Sequence, residues 1–455
     1  MQRRLCLLAV ALGLAHGGCA STSPFFLKDG ERIVFFGDSI TENGAYVQYV
    51  DAFLRTRFPH LRFEVLNRGI SSETIAGTSE ADHTPRRPDA HERFARDIVT
   101  ARPDVLVACF GMNDGNYFPF APERFAKYRD GVRRLIARTR SETGARLVLM
   151  TPPPYDPYTR KVFNPAATQY GYKFACIDYD SVLDRYSRWL LTLRGEGIVV
   201  ADVHAALKDH LRRRRETRVS FSLQNDGIHP NATGHWLMAQ TLLEAWRVPS
   251  VVSEVEVDGS ALDTTAADTA ERTRPGGALP VTWRTSVPTP SAAQGDGKPV
   301  TAELRDGALS VTWFTPLPMP IDPQWDKESV AVERVAERFN RHRLRVTGLP
   351  PGRYRLLAEG APVADVDHTQ LGRGLDLLDY PTFPTTAMSQ VVLDRVRRRE
   401  RALYAAWREG LSSAPAATQG AERYANRLEA ARCEANLRDL CRVHEIHVRI
   451  EPAGP

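Results

Sequence analysis

Cysteine is scarce in this sequence: six in 455 residues, with Cys6 and Cys19 inside the first twenty. No C-x-x-C pair and no H-E-x-x-H is present, so a zinc site has no support, and no other metal or cofactor is called for. Cys433 and Cys441 lie in a helix-period segment, about 12 Å apart along a continuous helix axis. That is beyond disulfide reach. Cys109 and Cys176 sit among apolar residues and read as buried thiols. Charge of one sign is also lacking. A formal net charge of +5 is far from the footprint of a nucleic-acid-binding protein. Two arginine runs stand out, "LRRRRETR" from Leu211 and "RVRRRERAL" from Arg395. Apolar residues recur within each, so both read as solvated helix faces. No internal repeat is found.

Hydrophobic residues make up 42% and charged residues 25% of the chain, the balance of a soluble globular protein, and 455 residues suit two domains. The first residues, "MQRRLCLLAVALGLAHGGCAST", carry two arginines, an apolar run from Leu5 to Ala15 and then small residues. The run is too short to span a bilayer and fits the core of an export signal. Cleavage after Ala20 would use Gly18 and Ala20 as its small positions. Alternatively Cys19, after Gly17 and Gly18, resembles a bacterial lipoprotein site, from which His16 departs. Residues 1–20 are therefore expected to be an export leader. The mature protein is expected to be periplasmic, in the cell envelope or secreted, meeting a membrane only through a lipid on Cys19.

From about Arg32 to Trp246 short apolar runs alternate with helix-period segments. The runs are "RIVFF", "RFEVL", "DVLVACF", "ARLVLM" and "GIVVAD". They are near-continuous in Val, Ile, Leu and Phe, as strands covered on both faces are. Strand–helix alternation predicts an α/β fold with a parallel sheet between helix layers, whose ligands collect at the carboxyl ends of the strands. We assign 25–249 to this domain. Composition shifts after Pro249, and 250–300 reads as linker or irregular chain interrupted by one strand, "LPVTWRT". Residues 301–455 read as a β-rich unit with two long helical patterns and a final returning strand, "EIHVRIEP", its role unassigned.

The polar and glycine clusters of the first half all follow core strands. Gly37-Asp38-Ser39 follows the first, "NRGISSET" with Gly69 the second, and "GMNDG" with Asn113 the third. "NDGIHPNATG", with Asp226 and His229, precedes the helix "GHWLMAQTLLEAW". Serine ester hydrolysis needs a nucleophile, a base, a carboxylate that fixes the base's tautomer, and donors for the oxyanion. Ser39, His229 and Asp226 supply the first three. The N–H groups of Ser39 and Gly69 and the amide of Asn113 are the candidate donors. No G-x-S-x-G elbow occurs, so the α/β-hydrolase pattern is not met.

The ordered set GDS, loop glycine, GxND and DxxHP resembles the SGNH (GDSL) hydrolase superfamily over residues 30–248, about half the chain. The resemblance implies a flavodoxin-like three-layer α/β/α fold and metal-free serine ester hydrolysis, with Ser39, Asp226 and His229 as triad and Ser39, Gly69 and Asn113 as oxyanion hole. Plainer readings stand beside it. Ser39 would also suit a helix cap, Asp38 a loop brace, and Asn113 a turn. Gly69 could simply relax a loop, and His204 and His235 read as structural. Tyr117 to Phe120 could wall a pocket or only pack, and Asn231 matches a glycosylation sequon by chance. The expected activity is deacylation of a small or carbohydrate-linked ester. Lysophospholipase, thioesterase or O-acyltransferase chemistry is the alternative, and a non-catalytic glycan-binding envelope protein is the alternative of another class.

Overall fold

The computed structural model describes residues 25–453 except 82, 161–168, 196, 261–277, 287–299, 306–307 and 411–415. Residues 1–20, expected to be an export leader and holding Cys6 and Cys19, lie outside the described residues. Five strands match the five apolar runs: β1 Arg32–Gly37, β2 Glu64–Gly69, β3 Val105–Cys109, β4 Arg146–Met150 and β5 Ile198–Ala201. All pair in parallel in the order β2-β1-β3-β4-β5. Residues 33–36 of β1 and every residue of β3 are buried, which is why neither strand alternates polar with apolar. Around the sheet lie α1 Ser39–Asn43, α2 Ala45–Arg57, α3 Pro122–Arg138, α4 Tyr179–Leu191, α5 Val203–Thr217 and α6 Ala232–Ala245. The chain winds one way from β1 to β2 and the other way from β3 onward. A crevice therefore opens at the carboxyl ends of β1 and β3.

Beyond residue 249 two antiparallel-rich sheets follow. One is built from β6 Val251–Asp258, β7 Val281–Thr285, β10 Arg341–Thr347 and β13 Leu375–Asp376, in the order β13-β10-β6-β7. The other takes β8 Val300–Arg305, β9 Ala308–Thr315, β11 Arg353–Ala358, β12 Ala361–Asp367 and β14 His444–Pro452, in the order β12-β11-β14-β9-β8. The two share a core that includes Val255, Val311, Trp313, Leu344, Leu356 and Val448. As expected, "EIHVRIEP" returns to the β layer, between β11 and β9. The expected linker is corrected at its start. "VVSEVEVD" forms β6, with Val252, Val255 and Val257 buried and Glu256 and Asp258 exposed, a two-residue period that the polar composition after it masks.

The rest of the carboxyl half consists of α7 Lys327–Val332, α8 Val335–Phe339, α9 His368–Arg373, α10 Pro384–Glu409 and α11 Ala416–Leu440. Much of it packs on the α/β layer. Leu317, Trp325, Phe339, Val392 and Leu437 belong to the same core as β1 and α6, and Trp325 stacks on Trp236 with ring centroids 4.5 Å apart. The arginine runs lie at this junction and are not simply solvated faces. Arg214 is buried and pairs with Asp326 at 3.0 Å, and Arg213 reaches Glu333. Arg399 is buried between Asp51 and Glu434, and Arg397 pairs with Asp322. Cys109, Cys176, Cys433 and Cys441 are free, buried thiols.

Candidate active site

The site begins where β1 runs out. Gly37 leaves no room for a side chain, since a Cβ there would lie 2.6 Å from the carbonyl of Cys109. The next residue settles the capping question. Asp38, not Ser39, is the N-cap of α1, its Oδ1 accepting the Ile40 N–H at 3.0 Å. Ser39 becomes the first helical residue and its hydroxyl is left for other work. Asp38 is buried, and that burial lifts its carboxyl to about 6.

The loop before α6 brings the candidate base. Ser39 Oγ lies 2.9 Å from His229 Nε2, and His229 Nδ1 lies 2.7 Å from Asp226 Oδ2. A carboxylate only accepts, so Nδ1 carries the hydrogen and neutral Nε2 presents its lone pair to the serine hydroxyl. Asp226 Oδ1 is held in turn by the N–H groups of Ile228 and His229 at 2.9 and 2.8 Å. Burial would raise the Asp226 carboxyl, but these donors and the imidazole hold it well below the ordinary range. For His229 burial opposes the charged form. The Asp226 hydrogen bond and charge, helped by Asp38, outweigh it and leave the imidazole above its ordinary value. Gly227 (φ 80) permits the turn, because a Cβ there would meet the Asp156 carbonyl at 2.6 Å. Asn231, the sequon residue, caps α6 through the Gly234 N–H at 3.0 Å.

Past β3, Asn113 is oriented on both sides. Its Nδ2 donates to the Glu73 carbonyl at 3.1 Å, and its Oδ1 accepts the Tyr117 hydroxyl at 2.9 Å. The amide therefore cannot flip without losing both bonds, and one N–H remains unspent. Tyr117 is buried, beneath the guanidinium of Arg87 at 5.5 Å. Of the two readings of this aromatic stretch, Tyr117 fits neither alone: it packs and it orients the amide. Only its position four residues after Asn113 hinted at that.

Gly69 has a hydrogen-bond partner of its own. Its N–H donates to Asn67 Oδ1 at 2.8 Å, so that donor is already engaged. The glycine is required by close approach, since a Cβ would lie 2.2 Å from the Glu42 nitrogen at α1. Three residues on, Ser72 takes a left-handed backbone (φ 64) just before Glu73, whose carbonyl holds Asn113. Arg160 reaches the site edge, Nη1 donating to the Asp226 carbonyl at 3.2 Å. The rival histidines are structural: His204 bonds Asp180 at 3.1 Å, and His235 is buried against the ring of Tyr46.

Residues 35–237 match the family model described as GDSL-like lipase/acylhydrolase. The chain is 26% identical over 244 residues, 48% of its own length and 94% of the relative's, to an acetylxylan esterase from Geobacillus stearothermophilus. Its fold is similar to that of a gut microbial diltiazem-metabolizing enzyme, with a TM-score of 0.70 at 19% identity, over 94% of this chain and 98% of the other. That fold likeness runs through the carboxyl half as well. Family match, acetylxylan esterase relative and strand order agree that this chain belongs, through its α/β half, to the SGNH (GDSL-like) hydrolases, enzymes that cleave ester bonds.

Proposed function

We propose that the protein is an exported serine esterase that removes short acyl groups, acetyl first among them, from a carbohydrate. The observation that carries the mechanism is the line Ser39 Oγ, His229 Nε2, His229 Nδ1, Asp226 Oδ2, with spacings of 2.9 and 2.7 Å at its two hydrogen bonds. In the first half-reaction Ser39 Oγ attacks the ester carbonyl carbon while its proton passes to His229 Nε2. The charge that develops on the carbonyl oxygen is met by the Ser39 N–H and the unspent N–H of Asn113. Collapse breaks the bond to the alcohol oxygen, which leaves with the proton from Nε2. Water then attacks the acyl-serine and gives its proton to Nε2; the bond from the acyl carbon to Ser39 Oγ breaks, Oγ takes the proton back from Nε2, and the acid departs. Asp226 keeps Nδ1 protonated and stabilises the imidazolium in both halves.

A carbohydrate substrate is supported by the acetylxylan esterase relative and by the export-type leader read in the sequence. The test is a fluorophosphonate exposure of the purified full chain with the adduct located by peptide mass. Labelling is expected at Ser39 and is expected to vanish in His229→Ala; a folded protein labelled elsewhere or not at all overturns the triad. Acetylated xylan and aryl acetates are expected to turn over faster than long-chain esters, and the reverse order would point to lipid or thioester hydrolysis. Export predicts a mature amino terminus at Ser21, or a lipid-modified Cys19, when the gene is expressed in a bacterium. An uncleaved Met1 terminus would count against it.

A further inference from the structure

The nucleophile's helix is short. With five residues α1 has too few internal bonds to hold its own orientation, so its aim depends on contacts from outside. Three of those contacts, or the chains that lead to them, start on α10 at positions 400, 404 and 407, one stripe of a helix.

Glu400 is buried and accepts from Asn67 Nδ2 at 2.9 Å and Gln48 Nε2 at 3.0 Å. Asn67 in turn donates to the Thr41 carbonyl of α1 at 2.7 Å and accepts the Gly69 N–H. The Tyr404 hydroxyl has one proton and two acceptors, Glu42 Oε1 at 2.8 Å and the Gly69 carbonyl at 2.9 Å. The other oxygen of Glu42 takes the Ser71 N–H at 2.6 Å, so α1 and the 69–73 loop are tied through one carboxylate. Trp407 donates Nε1–H to Asp97 at 3.2 Å and lies 4.8 Å from the Arg68 guanidinium and 5.9 Å from that of Arg93. Arg93 bonds Glu73 at 2.6 Å and the Arg68 carbonyl at 2.8 Å, and the carbonyl of Glu73 holds Asn113.

We propose that α10 is a positioning element of the esterase: Tyr404, supported by Glu400 and Trp407, fixes the relative placement of the Ser39 helix, the 69–73 loop and the Asn113 amide. This rests on the reading of Ser39 as nucleophile and Asn113 as oxyanion donor. The carboxyl half thereby contributes to the reaction without touching the substrate. Because misplacement of reacting groups by about 1 Å costs on the order of 100-fold in rate, loss of one hydroxyl from the stripe shows in kcat before it shows in stability.

The test uses the full chain carrying Tyr404→Phe, Trp407→Phe, Ser39→Ala or, as a control on the exposed side of the same helix, Arg401→Ala. Turnover of p-nitrophenyl acetate is divided by the fluorophosphonate-titrated concentration of sites, so that unfolded protein does not count, and for Ser39→Ala, which has no serine to titrate, by the concentration of folded protein read from circular dichroism. Tyr404→Phe is expected to lower kcat roughly fivefold or more, with KM within about twofold of wild type and the fluorophosphonate acylation rate falling in parallel. Trp407→Phe is expected to act in the same direction and Arg401→Ala not at all. Wild-type kcat in both Tyr404→Phe and Trp407→Phe, or an effect confined to KM, overturns the proposal. Turnover retained by Ser39→Ala would instead remove the nucleophile reading beneath it, whatever the α10 variants do.

Discussion

The two halves of the molecule hold their chemistry in opposite ways. Between residues 30 and 248 every group of the candidate triad lies close to an element end, Ser39 at the first turn of α1 just after β1 and Asp226 and His229 on the loop before α6, within a few residues of the segment that positions it. In the carboxyl half the side chains of interest act over long separations. Glu400 meets Asn67, Tyr404 meets Glu42, and Arg399 meets Asp51. A local string can announce the first kind of arrangement. The second kind becomes visible only when the chain is folded, because nothing near Tyr404 in sequence distinguishes it from any other tyrosine on a helix.

Perturbing each half should separate the two modes, with the largest effect at the triad. Asp226→Asn is expected to lower kcat by about 10⁴-fold while leaving the fold intact, since the imidazole loses its tautomer control. The same variant sharpens the electrostatic argument. As the proposed base, His229 works neutral, and the Asp226 partner raises its pKa, so activity in the wild type should fall away with acid at a pH above the ordinary histidine value of about 6.5. In Asp226→Asn that acid limb should move down; an unmoved limb would assign it to another group.

In the carboxyl half, away from the α10 stripe, the corresponding blow falls on stability. Glu333 is buried and accepts from His210 at 2.7 Å, Gln240 at 2.9 Å and Arg338 at 2.6 Å, besides Arg213. Glu333→Ala should cost about 3 kcal/mol in urea unfolding, because it strands buried donors, with kcat per folded site unchanged. A large loss of kcat instead would blur the contrast between the halves. The Glu333 carboxyl is held below its ordinary range, against the pull of burial, by His210, Gln240 and Arg213. Its stabilisation is therefore present above the unfolded carboxylate value of about 4.3 and lost as pH falls toward the folded one.

Smaller effects test the oxyanion side. Asn113→Ala should reduce kcat roughly 100-fold, and near-normal rates would remove Asn113 from the site. Tyr117→Phe should be milder and should spare KM, since it frees the amide to turn without deleting it. Smallest of all, Ser72→Gly should be neutral or stabilise by up to about 1 kcal/mol in urea unfolding, because Ser72 has a left-handed backbone that glycine adopts freely. A clear destabilisation would mean that the serine side chain does something its backbone does not reveal.

Much of this was legible in the sequence, for identifiable reasons. Strands buried on both faces write themselves as unbroken apolar runs, so β1 to β5 were placed closely, although β2 runs on to Gly69. Ser39 and His229 could be paired because their clusters fall at one edge of the expected sheet and in the block order of the family the sequence resembles. What the motif did not reveal is why a glycine stands at position 69. Gly69 is there because Glu42 packs against its Cα, a steric fact that no motif encodes. The arginine runs misled for a similar reason: charge spacing on a helix does not say which arginines meet a carboxylate from elsewhere, and Arg214 and Arg399 do. β6 was hidden by the polar residues that follow it.

The shared core has a practical meaning for anyone who cuts this gene. Arg57 is fully buried, and its guanidinium donates to the carbonyls of Pro249 and Phe339 at 2.6 and 2.5 Å and to Asn340 Oδ1 at 3.2 Å. A fragment halted where the matched segment ends would leave that cation without acceptors and bare the indole of Trp236 to water. The smallest piece able to melt as one cooperative body is therefore far longer than the stretch that carries the motif.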